Sequence, residues 1–392
     1  MISGIDEILQ QAVADETVPG IVALAGDRNG LLYEGAAGRL GIDSDEPALP
    51  ETIVWAASMT KAIVSVAALQ LIEAGALELE QPVADVLPEF GRLQVLEGFD
   101  GDTPRLRPPN RLTTIRHLLT HTSGLGYWFT DADVLRYHQV TGTPYVNSGR
   151  RAALQVPLVA DPGTRWVYGI SHDWLGQVIE AAADEDLATY CAQHIFEPLG
   201  MPDTSFSPTD SQRARMMKMH LRQAEGGLAA QSAMDRPHTQ FWSGGGGAYT
   251  SGRDYLRLMR ALLRGGELDG ARVLRSASVE RMFTNQLAGA IMPTGWKSPL
   301  TSVSNDFHFP PVKHSWGLGI HLVHENIPNS RRAGSGDWAG LGNCYYWIDR
   351  STGVAGITLT QVLPFFDARV RSTATEFEHA VYKDVSAPGR RA

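Results

Sequence analysis

The tetrapeptide Ser58-Met59-Thr60-Lys61 lies inside an apolar stretch, after Val54-Trp55-Ala56-Ala57 and before Ala62-Ile63-Val64. Between Ser58 and Ala74 the chain has neither glycine nor proline, and apolar residues occupy nearly every face, which predicts a helix buried on most sides. If the helix begins at Ser58, the hydroxyl lies at the positive end of the helix dipole and Lys61 lies about one turn away. A serine needs a neighbouring base to act as a nucleophile at neutral pH, and a lysine can be that base when burial or another cation lowers its pKa.

A simpler interpretation of the same tetrapeptide stays open, namely a helix-capping serine followed by a lysine whose ammonium group reaches solvent. The chain contains 24 serines and 5 lysines, so chance alone gives about 0.3 Ser-x-x-Lys matches. The tetrapeptide is therefore informative only together with the rest of the sequence.

Two further motifs follow it along the chain. The segment from Pro162 to Ser171 reads Pro-Gly-Thr-Arg-Trp-Val-Tyr-Gly-Ile-Ser and places Tyr168 after a Pro-Gly turn, and a second segment, Gly334 to Leu341, reads Gly-Ser-Gly-Asp-Trp-Ala-Gly-Leu before a predicted strand. In this order the motifs resemble those of serine β-lactamases and penicillin-recognising proteins, with most similarity to class C β-lactamases and family VIII carboxylesterases. The resemblance runs from about residue 5 to 383. Supporting landmarks are His117-Leu-Leu-Thr-His-Thr-Ser-Gly-Leu125, Phe196-Glu-Pro-Leu-Gly-Met201, and the glycines 244–247 before Tyr249.

The resemblance implies a role for each motif. Ser58 is expected to be the acylated nucleophile, Lys61 its charged or proton-accepting neighbour, and Tyr168 the phenol that relays protons to the leaving group and from water. Which of Lys61 and Tyr168 is the base stays open, because the two are expected to titrate as a coupled pair. The family's oxyanion hole corresponds here to the backbone N–H groups of Ser58 and Leu341.

A second tyrosine competes for the relay position. Tyr145-Val146-Asn147 has the Tyr-x-Asn pattern of β-lactamases, but its neighbours Thr143-Pro144 and Ser148-Gly149 are typical of a surface turn. Tyr168 has the Pro-Gly-Thr-x-Trp-x-Tyr lead-in, so the sequence favours Tyr168.

Two departures from the β-lactamase pattern bear on the substrate. Ile170 stands where those enzymes have an asparagine, and Trp338-Ala339-Gly340 stands where they have Lys-Thr-Gly. An isoleucine side chain forms no hydrogen bonds, and Trp338 offers an indole N–H without a charge, so both changes favour neutral esters over anionic lactams. A further aromatic set could line the substrate pocket or could equally pack in the core: Tyr127, Trp128, Phe129 and Trp242.

The remaining sequence predicts an α/β (α+β) fold, with an antiparallel sheet flanked by helices and built from both termini. A helix is expected over Ile5 to Ala14, a hairpin around Asp27-Arg-Asn-Gly30, strands at Trp316–Val323, Cys344–Ile348 and Val354–Leu359, and a final helix over Ala368–Asp384. No clear strand is expected between residue 91 and the glycine run. We therefore predict an α/β domain over residues 1–90 and 245–392 and a mostly helical insertion domain over 91–244. The long segment Thr284 to His314 is expected to cover the site or to be partly disordered.

Composition limits the class of protein. Lys+Arg 34 against Asp+Glu 43 gives a net charge of −9, and without a basic run nucleic acid is not an expected partner. Neither a membrane-spanning stretch nor a signal peptide is evident, and the two cysteines, Cys191 and Cys344, are too few for a disulfide framework. These features predict a cytoplasmic protein with no membrane partner; the oligomeric state stays open.

Other candidate sites are weaker. His117 and His121 have the i, i+4 spacing of metal ligands but lack an adjacent Glu and a third ligand, so we expect a structural role and neither a metal nor a cofactor. The glycines 244–247 lack a following Lys-Ser or Lys-Thr and are expected to form a tight turn. No Gly-x-Ser-x-Gly is present. Arg331 and Arg332 are expected to be solvated.

The sequence thus predicts a serine carboxylesterase that hydrolyses small neutral esters through an acyl-enzyme on Ser58. Within the same fold, a β-lactamase, an amide or D-amino-acid peptidase, or a transacylase are alternatives. A non-catalytic scaffold protein is disfavoured because Ser58, Lys61 and Tyr168 are all present.

Overall fold

The computed structural model describes residues 4–231 and 240–386 of the chain. Its main sheet has seven strands in the spatial order β3-β4-β5-β6-β7-β1-β2, and every neighbouring pair is antiparallel. The N-terminal hairpin pairs with β7 near the C-terminus, so the sheet is built from both ends of the chain, as predicted. The strands are β1 Gly20–Asp27, β2 Leu31–Gly38, β3 His314–Trp316, β4 His321–Val323, β5 Gly336–Gly340, β6 Cys344–Asp349 and β7 Val354–Leu359.

Helices flank both faces of this sheet. Helices α1 and α12 contact each other on one face, whereas α10 packs against β1, β6 and β7 on the other. The α-helices are α1 Ile5–Ala14, α2 Thr60–Glu73, α3 Val83–Val86, α4 Ile115–Leu119, α5 Ala132–Thr141, α6 Ser171–Ala183, α7 Leu187–Cys191, α8 Glu197–Leu199, α9 Asp210–Ala214, α10 Gly252–Leu263, α11 Ser276–Met282 and α12 Ala368–Val385. The fold is therefore the predicted mixed α/β arrangement.

The first hairpin forms where the sequence predicts it, although its turn closes differently. Neither Asn29 nor Gly30 adopts a positive φ. Instead, the Asp27 carboxylate accepts hydrogen bonds from the backbone N–H groups of Asn29 (2.7 Å) and Gly30 (2.8 Å). An aspartate that binds its own turn backbone in this way stabilises the turn without a left-handed residue.

Two predictions about strands were wrong. The middle of the chain contains two hairpins, Val95–Asp100 with Thr103–Arg107 and His220–Arg222 with Leu228–Ala230. The exposed positions of the first hairpin include charged side chains, which hides the apolar alternation on which a strand prediction depends, and each strand of the second hairpin is only three residues long. The predicted strand Trp316–Val323 is split into β3 and β4 by a turn in which Gly319 has a φ of +81°. The segment Gly334 to Leu341 does precede a strand, β6, as predicted, and its central residues form a further strand, β5.

Further short strand pairs connect these layers. Ile53–Trp55 pairs with Tyr249–Ser251 and ties the start of α2 to the start of α10. Gly295–Trp296 pairs with Phe307–His308 inside the long segment predicted as a loop. Glu267–Leu268 pairs with Ala271–Arg272, and Val362–Leu363 pairs in parallel with His220–Arg222.

Helix α2 is the most deeply enclosed of the labelled helices around the predicted nucleophile. Its side chains are buried on nearly every face, from Thr60 through Leu71, as the sequence predicts. The α-helix itself begins at Thr60, and Ser58 lies in the preceding 3₁₀ turn, Ala57–Met59. In the described parts of the chain, no helix is both long and apolar enough to cross a bilayer. The domain boundaries and the cytoplasmic location stay predictions.

Candidate active site

The turn that carries Ser58 is held from two directions. Ala57 has a φ of +46°, a left-handed conformation that costs a residue with a β-carbon roughly 1–2 kcal/mol. Two hydrogen bonds to the glycine-rich segment hold the strand before it: the Ala56 N–H donates to the Ala248 carbonyl, and the Trp55 indole N–H donates to the Gly246 carbonyl at 2.6 Å. Backbone strain maintained by surrounding contacts is common at functional sites.

Lys61 lies directly behind this serine. Its Nζ donates to Ser58 Oγ at 3.0 Å, to Tyr127 Oη at 3.1 Å and to the Gly245 carbonyl at 2.7 Å. The side chain is fully buried, and this burial lowers the pKa of Lys61 to about 7, although the negative charge of Asp173 opposes the shift. A large fraction of Lys61 is therefore neutral at physiological pH and can accept a proton.

Tyr168 lies just before α6, beside both Ser58 and Lys61, whose Nζ is 4.8 Å from the centroid of the Tyr168 ring. Its phenol group hydrogen-bonds with Ser58 and accepts the indole N–H of Trp338 at 3.1 Å. Burial raises the pKa of Tyr168 well above its ordinary value, even though these two hydrogen bonds oppose the rise. The group is therefore a neutral phenol at physiological pH, able to donate a proton to a basic atom and to be reprotonated.

Strand β5 brings Leu341 to the nucleophile. Gly340 packs so closely on the turn before Ser58 that a β-carbon there would lie 2.5 Å from the Ala56 carbonyl oxygen. Only glycine allows this approach, and as a result Leu341 and Ser58 line the same clefts. Their backbone N–H groups remain the predicted oxyanion hole.

Two narrow clefts, of about 10 and 30 Å³, meet at Ser58. The first, which we name the Tyr168 cleft, is lined by Ser58, Phe129, Tyr168, Trp296, Trp338, Ala339, Leu341 and Phe365. The second, the Tyr127 cleft, contains the predicted aromatic run Tyr127, Trp128 and Phe129, together with Ser58, Gly245 and Leu341. Most of the predicted pocket residues therefore do surround the nucleophile.

Two predicted pocket residues lie elsewhere. Trp242 hydrogen-bonds with Asp186, its ring faces Phe206, and it lines neither of the two clefts formed by the described residues. Ile170 is buried at the N-terminus of α6, where its carbonyl accepts backbone N–H groups of that helix. Both were chosen from their position in the chain, which does not fix where a side chain points.

The structure separates the two candidate tyrosines. Tyr145 is exposed, with 37% of its surface accessible, and its ring stacks on Trp128 at a centroid distance of 4.7 Å. Tyr168 is buried and contacts Ser58 itself. The geometry therefore agrees with the choice of Tyr168 and with a turn position for Tyr145.

Two residues of the site were missed from sequence. The Asp173 carboxylate accepts hydrogen bonds from Ser243 Oγ (2.5 Å) and from the Gly245 N–H (3.2 Å), and so positions the carbonyl that Lys61 binds. Trp296 stacks on Tyr168 at 5.4 Å. An acidic residue in the first turn of a helix is ordinary, and only complete burial distinguishes Asp173. Trp296 belongs to the long segment 284–314, which does cover the site.

The weaker candidates have structural explanations. His117 caps α4 together with Thr114, and His121 is buried beside Tyr168 and His172. Burial lowers the pKa of both His117 and His121, to about 4 for His117, so both are neutral at physiological pH. Across residues 4–231 and 240–386 no cluster of three or more His, Cys, Asp or Glu side chains could hold a metal ion.

Arg331 was expected to be solvated, which is wrong. Its side chain is only 13% exposed and lies between Asp337 (3.3 Å) and Glu378 (3.6 Å). The glycine run does form a tight turn, in which the N–H of Gly247 donates to the Ser243 carbonyl.

Comparison with known proteins agrees with this geometry. The family model described as Beta-lactamase matches residues 5–379. The chain belongs to the beta-lactamase family. This beta-lactamase family member is 30% identical to lovastatin esterase of Penicillium rubens, over 97% of this chain and 98% of that one. It is 31% identical to monacolin J acid methylbutanoyltransferase of Aspergillus terreus, over 95% and 94%.

A solved structure extends the comparison to three dimensions. Unliganded simvastatin synthase (LovD) from Aspergillus terreus, a selenomethionyl derivative, superposes with a TM-score of 0.85 at 29% identity, covering 99% of this chain and 98% of that chain. The relatives named here are an esterase and acyl-transferring enzymes of the same fold. The fold of this chain follows from the comparison; its substrate does not.

Proposed function

We propose that the chain cleaves neutral carboxylic esters through an acyl-enzyme on Ser58 and passes the acyl group to water. One observation carries the proposal: Lys61 Nζ lies 3.0 Å from Ser58 Oγ in a fully buried position that lowers its pKa to about 7. An activated serine hydroxyl is what nucleophilic acyl transfer requires.

The proposed sequence of steps gives a role to each of the three side chains. Lys61, in its neutral form, accepts the Ser58 proton while Oγ bonds to the ester carbonyl carbon, and the N–H groups of Ser58 and Leu341 bind the oxyanion. When the tetrahedral species collapses, the carbon–oxygen bond to the alcohol breaks and Tyr168 donates the proton to that oxygen. Tyr168 is then reprotonated from Lys61, and water repeats the path in reverse.

The side of the site formed by strand β5 supports a neutral substrate. Trp338 stands where β-lactamases have lysine, and its single N–H already donates to Tyr168 Oη. The position therefore provides no positive charge for the carboxylate of a lactam antibiotic.

Initial rates on p-nitrophenyl acetate and on a chromogenic cephalosporin, with the wild type and Ser58→Ala, test this function. We expect ester turnover that is lost in S58A and cephalosporin turnover at least 100-fold slower. Faster cephalosporin turnover would make the chain a β-lactamase. A fluorophosphonate probe that adds no mass to the intact protein would instead support a non-catalytic scaffold.

Acyl transfer to an alcohol is a second candidate, and one observation favours it. The two clefts at Ser58 are narrow, and the Tyr168 cleft is mostly aromatic, which limits the water beside the acyl-enzyme. The relatives named above include a methylbutanoyltransferase as well as an esterase. Increasing concentrations of 1-butanol during p-nitrophenyl acetate turnover distinguish the two: a transferase yields mainly butyl acetate at millimolar alcohol, and a hydrolase yields mainly acetate.

A further inference from the structure

A cavity of about 570 Å³ opens beside the Tyr168 cleft, on the face of the sheet that carries α12. We name it the α12 cavity. Its walls come from residues 307–311, from the strands β5 to β7 and from one side of α12. Pockets of roughly 300–1,000 Å³ hold drug-sized ligands, whereas the clefts at Ser58 hold little more than the reacting atoms.

The α12 cavity and the Tyr168 cleft share a wall. Trp338 and Ala339 line both spaces. On the other side Phe307, which lines the cavity, stacks at 4.1 Å on Trp296, which lines the cleft. The cavity and the cleft are therefore adjacent, and Ala339 is the smallest side chain that lines both.

The buried side-chain atoms of the cavity wall that lack a hydrogen bond to a described residue include two uncharged ones. The indole N–H of Trp347 and the hydroxyl of Thr358 are buried, with residue exposures of 3% and 1%, and neither hydrogen-bonds to any residue in the described ranges. A buried polar group left without a partner costs roughly 1–3 kcal/mol. A ligand with a hydroxyl or carbonyl group at this depth removes that cost.

The charges of the cavity favour an uncharged ligand. Arg331 is neutralised between Asp337 and Glu378, and Arg371 lies over the ring of Phe366. The two arginines and two carboxylates sum to zero, His308 and His379 are the other residues of the lining that can carry a charge near neutral pH, and the remaining walls are mainly aromatic, prolyl or aliphatic. The arginine and carboxylate charges thus give no net preference for a carboxylate or an ammonium group.

The position of Tyr168 decides which part of the ester enters the cavity. Tyr168 lines the cleft that borders the cavity and is absent from the lining of the Tyr127 cleft. Since Tyr168 is the proposed proton donor to the leaving oxygen, the alcohol lies on its side and the acyl group lies toward Tyr127. We infer that the α12 cavity binds the alcohol portion of the ester, and that this alcohol is large, mainly apolar, uncharged and bears a second polar group. This inference rests on the proposed function and names its substrate class.

Two acetates test the inference, because they form the same acetyl-enzyme and differ only in the alcohol. Testosterone acetate has a large uncharged alcohol with a distant ketone, and ethyl acetate has a small one. Thr375→Trp places an indole on the cavity side of α12, far along the chain from Ser58. The matched control is Glu376→Trp, at the neighbouring exposed position, which does not line the cavity.

We expect the ratio of kcat/KM for testosterone acetate to that for ethyl acetate to fall at least ten-fold in T375W and to stay unchanged in E376W. We also expect testosterone to bind S58A, measured by quenching of tryptophan fluorescence, and to bind the S58A/T375W double variant at least ten-fold more weakly. An unchanged ratio in T375W, or a wild type that cleaves ethyl acetate but not testosterone acetate, would overturn the inference. Failure of the proposed function looks different, because then neither acetate is cleaved, or S58A cleaves both as fast as the wild type.

Discussion

The two sides of Ser58 each present a tyrosine, and the two tyrosines face different atoms. On one side Tyr168 Oη hydrogen-bonds with Ser58 and accepts the Trp338 indole N–H. On the other side Tyr127 Oη accepts a hydrogen bond from Lys61 at 3.1 Å. Their rings are only 5.3 Å apart and equally buried, so burial and residue type do not distinguish them. What distinguishes the two tyrosines is the atom that each phenol group faces. The contact of Tyr168 with Ser58 predicts a proton relay, and the contact of Tyr127 with Lys61 predicts that Tyr127 positions the lysine.

Removing the lysine that both sides share is expected to have the largest effect. Lys61→Met keeps the length of the side chain in its buried site but removes the base, so we expect kcat/KM for p-nitrophenyl acetate to fall about 10³-fold. The matched control is Lys218→Met, because Lys218 is a partly exposed lysine paired with Asp43. A loss below ten-fold in K61M would show that another group activates Ser58.

Tyr168→Phe is expected to come next. It removes the proposed proton donor and keeps the ring that stacks on Trp296, so we expect kcat to fall about 10²-fold with little change in thermal stability. Tyr145→Phe, at the exposed tyrosine, is expected to be neutral. Equal losses in Y168F and Y145F would contradict the assignment of the relay to Tyr168.

The sequence predicts the parts of this site that depend on local pattern. Ser58 and Lys61 share one turn, and Tyr168 follows a Pro-Gly turn, so their motifs are readable along the chain. Asp173 and Trp296 could not be found in that way, because their roles depend on which backbone amide or ring the tertiary fold places beside them. Trp242 shows the converse error: it is near the glycine run in sequence, yet its indole group binds Asp186.

The prediction of strands from sequence has the same limit. Strands β6 and β7 were predicted because buried neighbours on both faces make them continuously apolar. The hairpin Val95–Asp100 with Thr103–Arg107 escaped because only Val95 and Leu96 of its first strand are buried.

The pH dependence of activity tests whether Lys61 is largely neutral at physiological pH, as the comparison of the two tyrosines assumes. With a pKa near 7 the neutral base is lost on acidification, so kcat/KM is expected to rise with pH up to about 8 and to fall about ten-fold per unit below 6. The neighbouring His121 and His172 have strongly lowered pKa values through burial and stay neutral in this range. A profile that is flat from pH 5 to 9 would contradict a lysine base.

The lowered pKa of Lys61 also predicts that the free energy of unfolding changes with pH. Between pH 7 and 10.5 the unfolded chain holds the Lys61 proton and the folded chain does not, so the free energy of unfolding contributed by this group rises with pH across that window. Urea unfolding of the wild type and K61M at pH 7 and 9.5 measures it: the wild type should gain stability relative to K61M at the higher pH. Parallel changes in both proteins would place the Lys61 pKa near its ordinary value.

Tyr127→Phe gives the smallest expected effect and separates the two sides of Ser58 most sharply. The phenol oxygen of Tyr127 accepts a hydrogen bond from the Lys61 ammonium group and so favours its charged form. Without that oxygen the charged form is less stable, so the acid limb of the pH profile should move to lower pH while kcat at pH 9 falls less than ten-fold. Tyr168→Phe should lower kcat at every pH, because it removes a proton donor rather than a neighbour of the base. If Y127F instead lost as much activity at pH 9 as Y168F, Tyr127 would be handling the transferred proton and the two sides of Ser58 would share one role.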